Sequence, residues 1–467
     1  MRKFIWMLAL LLLIPPASYS ETLFVAPGNG TLTEVLAACA DGDVIELGDG
    51  VFCEPEETFP LIVDRQVTLR AAEGANPVID APVMKSAIRV EADGVTIEGL
   101  EIRFRRHGVY GIGDDMTILG CRLILADPDW RVSSCGIWCG GILRMTLRGC
   151  GFTGCSVSMA GPPVTSANTE NIPKLTAMFE VGEDPEYFTS HTMEDCVVNG
   201  KPLVYIVNQP EVTVPEGAGE IICCSCGEVT IRNADVSDGS MGMQLMYNSH
   251  VTVEDSRADR CGIFGIYIAK CDGGDVVRCT TEKTNHGIDI RADRDVTLLN
   301  CTAVSCEQGL FFSMVEDGGM IDCTVENTRQ GLFMAAGHGN RMSGCTVTGS
   351  ENGIHLEKEN DAQITCCTVE TCTVCGMRLD RSSVAVTGNT LRNNWVGIMG
   401  YGGKPIEITD NLFDSNDNCG IFLRNTGIVQ VTGNRFQGSG EFSIMTEGIP
   451  EDSVVADNET DVPPQHQ

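Results

Sequence analysis

Apolar and polar residues alternate in short runs along most of this chain, and over residues 228–445 the runs return at a near-constant step. The last run of each unit opens on glycine: Gly242, Gly265, Gly287, Gly309, Gly331, Gly353, Gly376, Gly397 and Gly420. The steps between them are 23, 22, 22, 22, 22, 23, 21 and 23 residues, too short for a helical hairpin with its loops. The unit at 295–312, DVTLLNCTAVSCEQGLFF, shows the grammar: a β-rich run, a small residue, a second short run, a turn, then glycine and a third apolar alternation. Three short strands and no helix per lap describe one coil of a parallel β-helix, in which like residues stack rung over rung. The expected fold is therefore all-β, a single-stranded parallel solenoid counted as one elongated domain.

The same pattern divides the chain. Residues 21–54 read as an N-terminal cap with first strands, where Thr33 is expected to cap a short helix bearing Leu32, Val35, Leu36 and Cys39 on one face. Residues 55–160 carry irregular coils, with Cys121 and Cys150 in the small-residue slot. Over 161–220 the repeat is lost to an insertion rich in Pro, Phe and Tyr, either the carrier of a specific function or a cover for one side of the solenoid. Regular coils fill 221–450, and 451–467 forms an acidic tail. At the N-terminus, Arg2 and Lys3 precede an apolar run over 4–14, then Pro15, Pro16, Ser18 and Ser20. This predicts a secretory signal peptide cut after Ser20, the alternative being an uncut anchor. The expected address is secreted, extracellular or cell-surface, a periplasmic-type compartment included, with no stable membrane insertion.

Composition changes the picture in two ways. The net charge of −32 argues against nucleic acid and anionic membrane as partners, since both require a basic footprint. The 23 cysteines are unusual for an exported chain, but their positions explain them. One slot of the coil holds Ala234, Ser256, Cys279, Cys301, Cys323, Cys345, Cys367, Asn389, Asn411, Asn434 and Asn458; another holds Cys261, Thr284, Cys306, Thr328, Ser350, Cys372, Asn394 and Asn416. Cysteine shares these slots with Ser, Thr, Ala and Asn, which points to a packing role for small side chains. Rung-to-rung disulfides are also compatible with a strand spacing of about 4.8 Å.

In each third strand the residues two and four after the glycine are expected to point outward, because strand side chains alternate. The resulting candidate ligand-binding face holds Tyr267, Asp289, Arg291, Phe311, Phe333, His355, Glu357, Arg378 and Asp380. Aromatic rings beside charges suit a polysaccharide or surface glycan: rings stack on sugar faces, and charged groups bind hydroxyls. Glu357 and Asp380, on successive rungs, are the candidate catalytic carboxylates of a hydrolase or lyase, with Asp289 nearby. The same acids could instead hold Ca²⁺. Cys224 and Cys226, read as sharing a strand face, are candidate soft-metal ligands. The triplet Gly337-His338-Gly339 imitates a polygalacturonase motif but falls in a turn, and the 7 histidines show no metal-ligand spacing.

At 199–208, NGKPLVYIVN, followed by VPEGAGEIICCSCGEVTIRNADVSDGSMGMQL, the sequence resembles the NosD-like β-helix repeat family of the pectin-lyase-like superfamily. The resemblance runs from 199 to the end and more loosely through earlier coils. It implies a right-handed parallel β-helix. For function it implies either a surface or secreted protein in contact with carbohydrate, or a periplasmic helper in copper-site maturation. This chain places Cys where the family usually has Asn.

Overall fold

The computed structural model describes residues 20–466 apart from 29, 30, 162–181, 439 and 463, so the signal-peptide pattern and much of the insertion lie outside the described residues. What it shows is a right-handed parallel β-solenoid with very few helices. The opening helix, Leu32–Ala38, buries Leu32 and Leu36 over the first coils. Its N-cap is Thr31, whose hydroxyl accepts from Glu34 N at 3.2 Å. Thr33, expected in that role, sits inside the helix and donates to Glu57 Oε2 at 2.6 Å.

The coils form two stacks with separate apolar cores. The first runs to Val157–Ala160 and is completed by Thr192–Glu194 and Val197–Val198, which rejoin its sheets after the insertion. There the chain reverses: Val197 pairs with Pro202 and Val198 with Lys201, antiparallel, around Asn199 (φ 51°) and Gly200 (φ 78°). The remaining named strand pairs are parallel, and one long sheet passes through the reversal into the second stack. Its early strands bury side chains on both faces. Ile221, Cys223, Met243 and Leu245 enter the second core, whereas Ile222, Cys224, Met246, Phe264 and Tyr267 enter the first. The long sheet thus lies across the end of the first stack. At that seam Val157 N donates to Glu220 Oε2 (3.2 Å) and Met159 N to Gln244 Oε1 (3.0 Å), which satisfies edge amides that water cannot reach. Burial pushes the Glu220 carboxyl well above its ordinary pKa.

Two columns set the period. The coil glycines stack so closely that a Cβ on Gly309 would come within 2.6 Å of Gly331 O. The residue before each small-residue slot turns left-handed, as in Asn300 (φ 53°), Asp322 (φ 51°) and Cys366 (φ 55°). The turn throws Cys366 outward while Cys367 faces the core. The register Thr280↔Thr302↔Thr324↔Thr346↔Thr368 places Cys279, Cys301, Cys323, Cys345 and Cys367 in one column. All 23 cysteines are free, and all except Cys53 and Cys366 are buried. Among the described residues no helix is long and apolar enough to cross a membrane.

Candidate functional site

The strands Gln308–Ser313, Gln330–Ala335, Asn352–Glu357, Cys375–Asp380 and Val396–Tyr401 are successive rungs of the long sheet. Their apolar positions one and three after the glycine, Leu310 and Phe312 in the first, fill the second core. Two outward rows follow by alternation: Phe311↔Phe333↔His355↔Arg378↔Met399 and Ser313↔Ala335↔Glu357↔Asp380↔Tyr401. A third row, Gln308↔Gln330↔Asn352↔Cys375, stands just before the glycines. Strict alternation would turn it inward, but the chain kinks at the crowded glycine and resets the phase. His286, in that row one rung below, shows the outcome: its Nδ1 lies 2.8 Å from Asp289 Oδ2 on the outer face.

Toward the seam this face is closed, which corrects four candidates. Tyr267 is 3 % exposed and packs into the first core; Asp289 is 0 % exposed, Arg291 3 % and Phe311 2 %. Asp289 is gripped by Arg291, whose Nε and Nη2 donate at 2.7 and 2.9 Å, and by His286. The guanidinium lies over the rings of Phe264, Tyr267 and Phe311 at 5.4, 5.7 and 5.4 Å. Burial alone would raise the Asp289 pKa and lower that of His286. For Asp289 the Arg291 charge and these hydrogen bonds outweigh burial and hold it low, whereas for His286 burial prevails. An ion cluster without solvent access presents no free carboxylate to a ligand.

Beyond Phe311 the face opens. Phe311, Phe333 and His355 stand in a column, one per rung, tilted to each other by 38° and 43° with centroid separations of 4.8 and 4.7 Å. Phe333, His355, Glu357, Arg378, Asp380 and Tyr401 are half-buried. Glu357 and Asp380 stand in register on neighbouring rungs. Arg378 Nε donates to Asp380 Oδ2 at 2.8 Å, and His355 Nε2 lies 3.4 Å from the same oxygen. Burial raises the Asp380 pKa, but these two partners outweigh it and hold the carboxyl below its usual range. Five buried polar atoms here make no well-aligned hydrogen bond: Gln308 Oε1, Ser313 Oγ, Gln330 Oε1, Asp380 Oδ1, and His355 Nε2, whose 3.4 Å approach to Asp380 Oδ2 is a looser contact. Only three other described side-chain atoms are in that state, so the deficit is concentrated on four rungs of one face. Buried polar groups are ordinarily paired with protein or with water, so this cluster singles out the face. The amide row escaped the sequence reading, although an unbroken Gln, Gln, Asn series before successive glycines was visible.

The soft-metal candidates do not form a site. Their strand, Glu220–Cys224, ends before Ser225, whose left-handed turn (φ 54°) breaks the alternation. Cys224 consequently packs in the first core and Cys226 in the second. Burial also pushes the Cys224 thiol well above its ordinary pKa, away from the thiolate a metal binds. Among the described residues no group of three or more His, Cys, Asp or Glu is arranged to hold a metal ion. Gly337-His338-Gly339 lies in a turn. A Cβ on Gly337 would meet Glu359 Oε1 at 2.8 Å, so that glycine serves packing.

Residues 307–459 match the profile of the family described as periplasmic copper-binding protein (NosD), and residues 186–329 match that of the right handed beta helix region. No curated protein matches the chain. Solved structures with a similar fold include the periplasmic alginate epimerase AlgG, at 12 % identity over 91 % of this chain and 85 % of that one (TM-score 0.34). The polygalacturonase from Erwinia carotovora is 10 % identical over 95 % and 94 % of the two chains (TM-score 0.26). The A-module of the Azotobacter vinelandii mannuronan C-5 epimerase AlgE6 is 12 % identical over 93 % and 92 % (TM-score 0.29). Both profiles fall on stacked, in-register coils: the fold is a right-handed parallel β-helix, and its residues 307–459 are similar to the NosD family.

Proposed function

We propose that the protein is exported and binds a glycan along the open outer face of its long sheet, from Phe333 to Tyr401. The observation that carries this reading is the coincidence of orphaned polar atoms with a row of rings. A sugar chain offers hydroxyls to the first and flat C–H faces to the second, and the row lets successive residues of a polymer repeat the contact rung by rung. Export rests on the pattern of residues 1–20. Phe333→Ala is expected to weaken glycan binding about tenfold, the loss of one stacking contact of about 1.4 kcal/mol. Calorimetry on the folded variant reads this directly, and unchanged affinity would place the site elsewhere.

The runner-up is a polysaccharide hydrolase or lyase. It draws on the in-register Glu357 and Asp380, whose rung spacing of about 4.8 Å is near that of a retaining carboxylate pair. In such a pair the partners that hold Asp380 ionised would fit it for the nucleophile's part and leave the acid's part to Glu357. Product formation by the native protein that disappears in Glu357→Gln and Asp380→Asn would favour this second reading.

A further inference from the structure

The charges of the open face narrow the class of glycan it can take. Over the four rungs from Gln308 to Asp380 the charged floor residues are Glu357, Arg378 and Asp380. Arg378 already donates to Asp380 at 2.8 Å, so the one floor cation is committed within its own chain. The floor arginines to either side are committed likewise, Arg291 to buried Asp289 and Arg424 to Glu447 at 3.2 Å. Glu357 leaves the floor net negative, in a molecule whose net charge is −32. Other cations flank the floor: Lys358 and Arg381 stand in left-handed turns on one side (φ 58° and 51°), and Arg329, paired with Glu307, stands beside Gln330 on the other.

A polyuronate laid on this face would lose hydration from its carboxylates without gaining an ion pair, and its approach would be opposed by the field of the whole chain. The unmet groups ask for something else. Gln308, Gln330 and Ser313 are neutral, and Asp380 Oδ1 accepts only. A hydroxyl both donates and accepts, so it satisfies an amide whichever way the amide is turned; a ligand carboxylate can offer nothing to an acceptor oxygen.

We propose, resting on the glycan reading above, that the face selects an uncharged polysaccharide and rejects polyuronates. Gln330, at the open end of the amide row, reads sugar hydroxyls while Phe333 and His355 stack on ring faces.

The test uses the full chain and matched gluco-, galacto- and manno-oligosaccharides long enough to span four rungs, about 15 Å, each in neutral form and oxidised to the uronate at C6. Titration calorimetry at low salt is expected to show a neutral member binding at least about tenfold tighter than its oxidised twin. Gln330→Leu, folded by circular dichroism, should lose about tenfold on that neutral ligand. Tighter binding of the oxidised members would overturn the neutral assignment while leaving the glycan reading intact. So would uronate binding that vanishes in Arg381→Ala, because the recognition would then belong to the rim. Binding by no member of either set would overturn both readings.

Discussion

One slot of the second stack is filled by two chemistries, thiols at Cys279, Cys301, Cys323, Cys345 and Cys367, then amides at Asn389, Asn411, Asn434 and Asn458, and the contrast shows what the slot requires. In both halves the side chain reaches a carbonyl of the preceding coil: Cys301 Sγ donates to Val276 O (3.2 Å) and Cys345 Sγ to Met320 O (3.2 Å), as Asn411 Nδ2 donates to Val386 O (2.9 Å). A small donor facing inward is thus the minimum. Asparagine adds rung-to-rung bonds, from Asn389 to Asn411 (2.9 Å), Asn411 to Asn434 (3.0 Å) and Asn434 to Asn458 (3.0 Å), and each carboxamide oxygen also takes a backbone N–H from the rung before. A thiol, a weak donor with one hydrogen, cannot make that second link. The thiol half instead holds polar groups in another turn. There Glu359 accepts from Gly337 N (2.8 Å) and Asn340 Nδ2 (3.1 Å), and Asp293 accepts from Arg294 N (2.8 Å).

Breaking the amide half should have the largest effect. Asn411→Leu removes the acceptor of the Asn389 backbone N–H and the side-chain donor to Val386 O, a cost on the order of 4 kcal/mol at about 1–3 per buried group. Urea titration should show a lower midpoint, and an unchanged midpoint would mean that the ladder adds nothing. Next comes a pH dependence confined to the thiol half. Burial raises the Glu359 carboxyl from 4.5 to about 7, its two hydrogen bonds opposing that only in part, and raises Asp293 from 3.8 to about 7. With a raised folded pKa, the stability is present in full below the unfolded value and is lost as pH climbs through about 7. For Glu359 alone the loss is about 3 kcal/mol. Hydrogen exchange resolved by peptide and corrected for intrinsic rate should loosen around 337–359 on the alkaline side of neutrality. Glu359→Gln should remove the effect there, while Asp293 gives its own loosening around 273–294. Equal loosening in the asparagine coils would contradict the division. The smallest effect extends the ladder: Cys367→Asn sits beside Asn389 and should stabilise by about 1 kcal/mol, whereas Cys323→Asn, between thiols, gains no carboxamide neighbour. Thermal midpoints distinguish the two, and a fall for Cys367→Asn would show the slot too tight there.

The period, the glycine row and the cysteine column were legible in the sequence, because each is a repeat of residue type at fixed spacing and stacking preserves it. What packs on a face was not. Tyr267, Asp289 and Phe311 alternate outward as expected, yet the reversal at Asn199-Gly200 folds their end of the sheet against the first stack, and no local pattern announces a partner some hundred residues earlier. Cys224 and Cys226 failed as a pair because one left-handed residue, Ser225, resets alternation, and the amide row went unread because the coil glycine resets it too. Both errors have one source: a period of two holds only while the backbone stays extended.

The long sheet lying over the last rung of the first stack has a further consequence for the molecule in a crowd of its own kind. An uncovered terminal coil is an open row of N–H and C=O groups that can recruit another copy and grow into a fibre. Here Val157 and Met159 have their amides taken by Glu220 and Gln244 of the same chain, so filament growth has no foothold at that end.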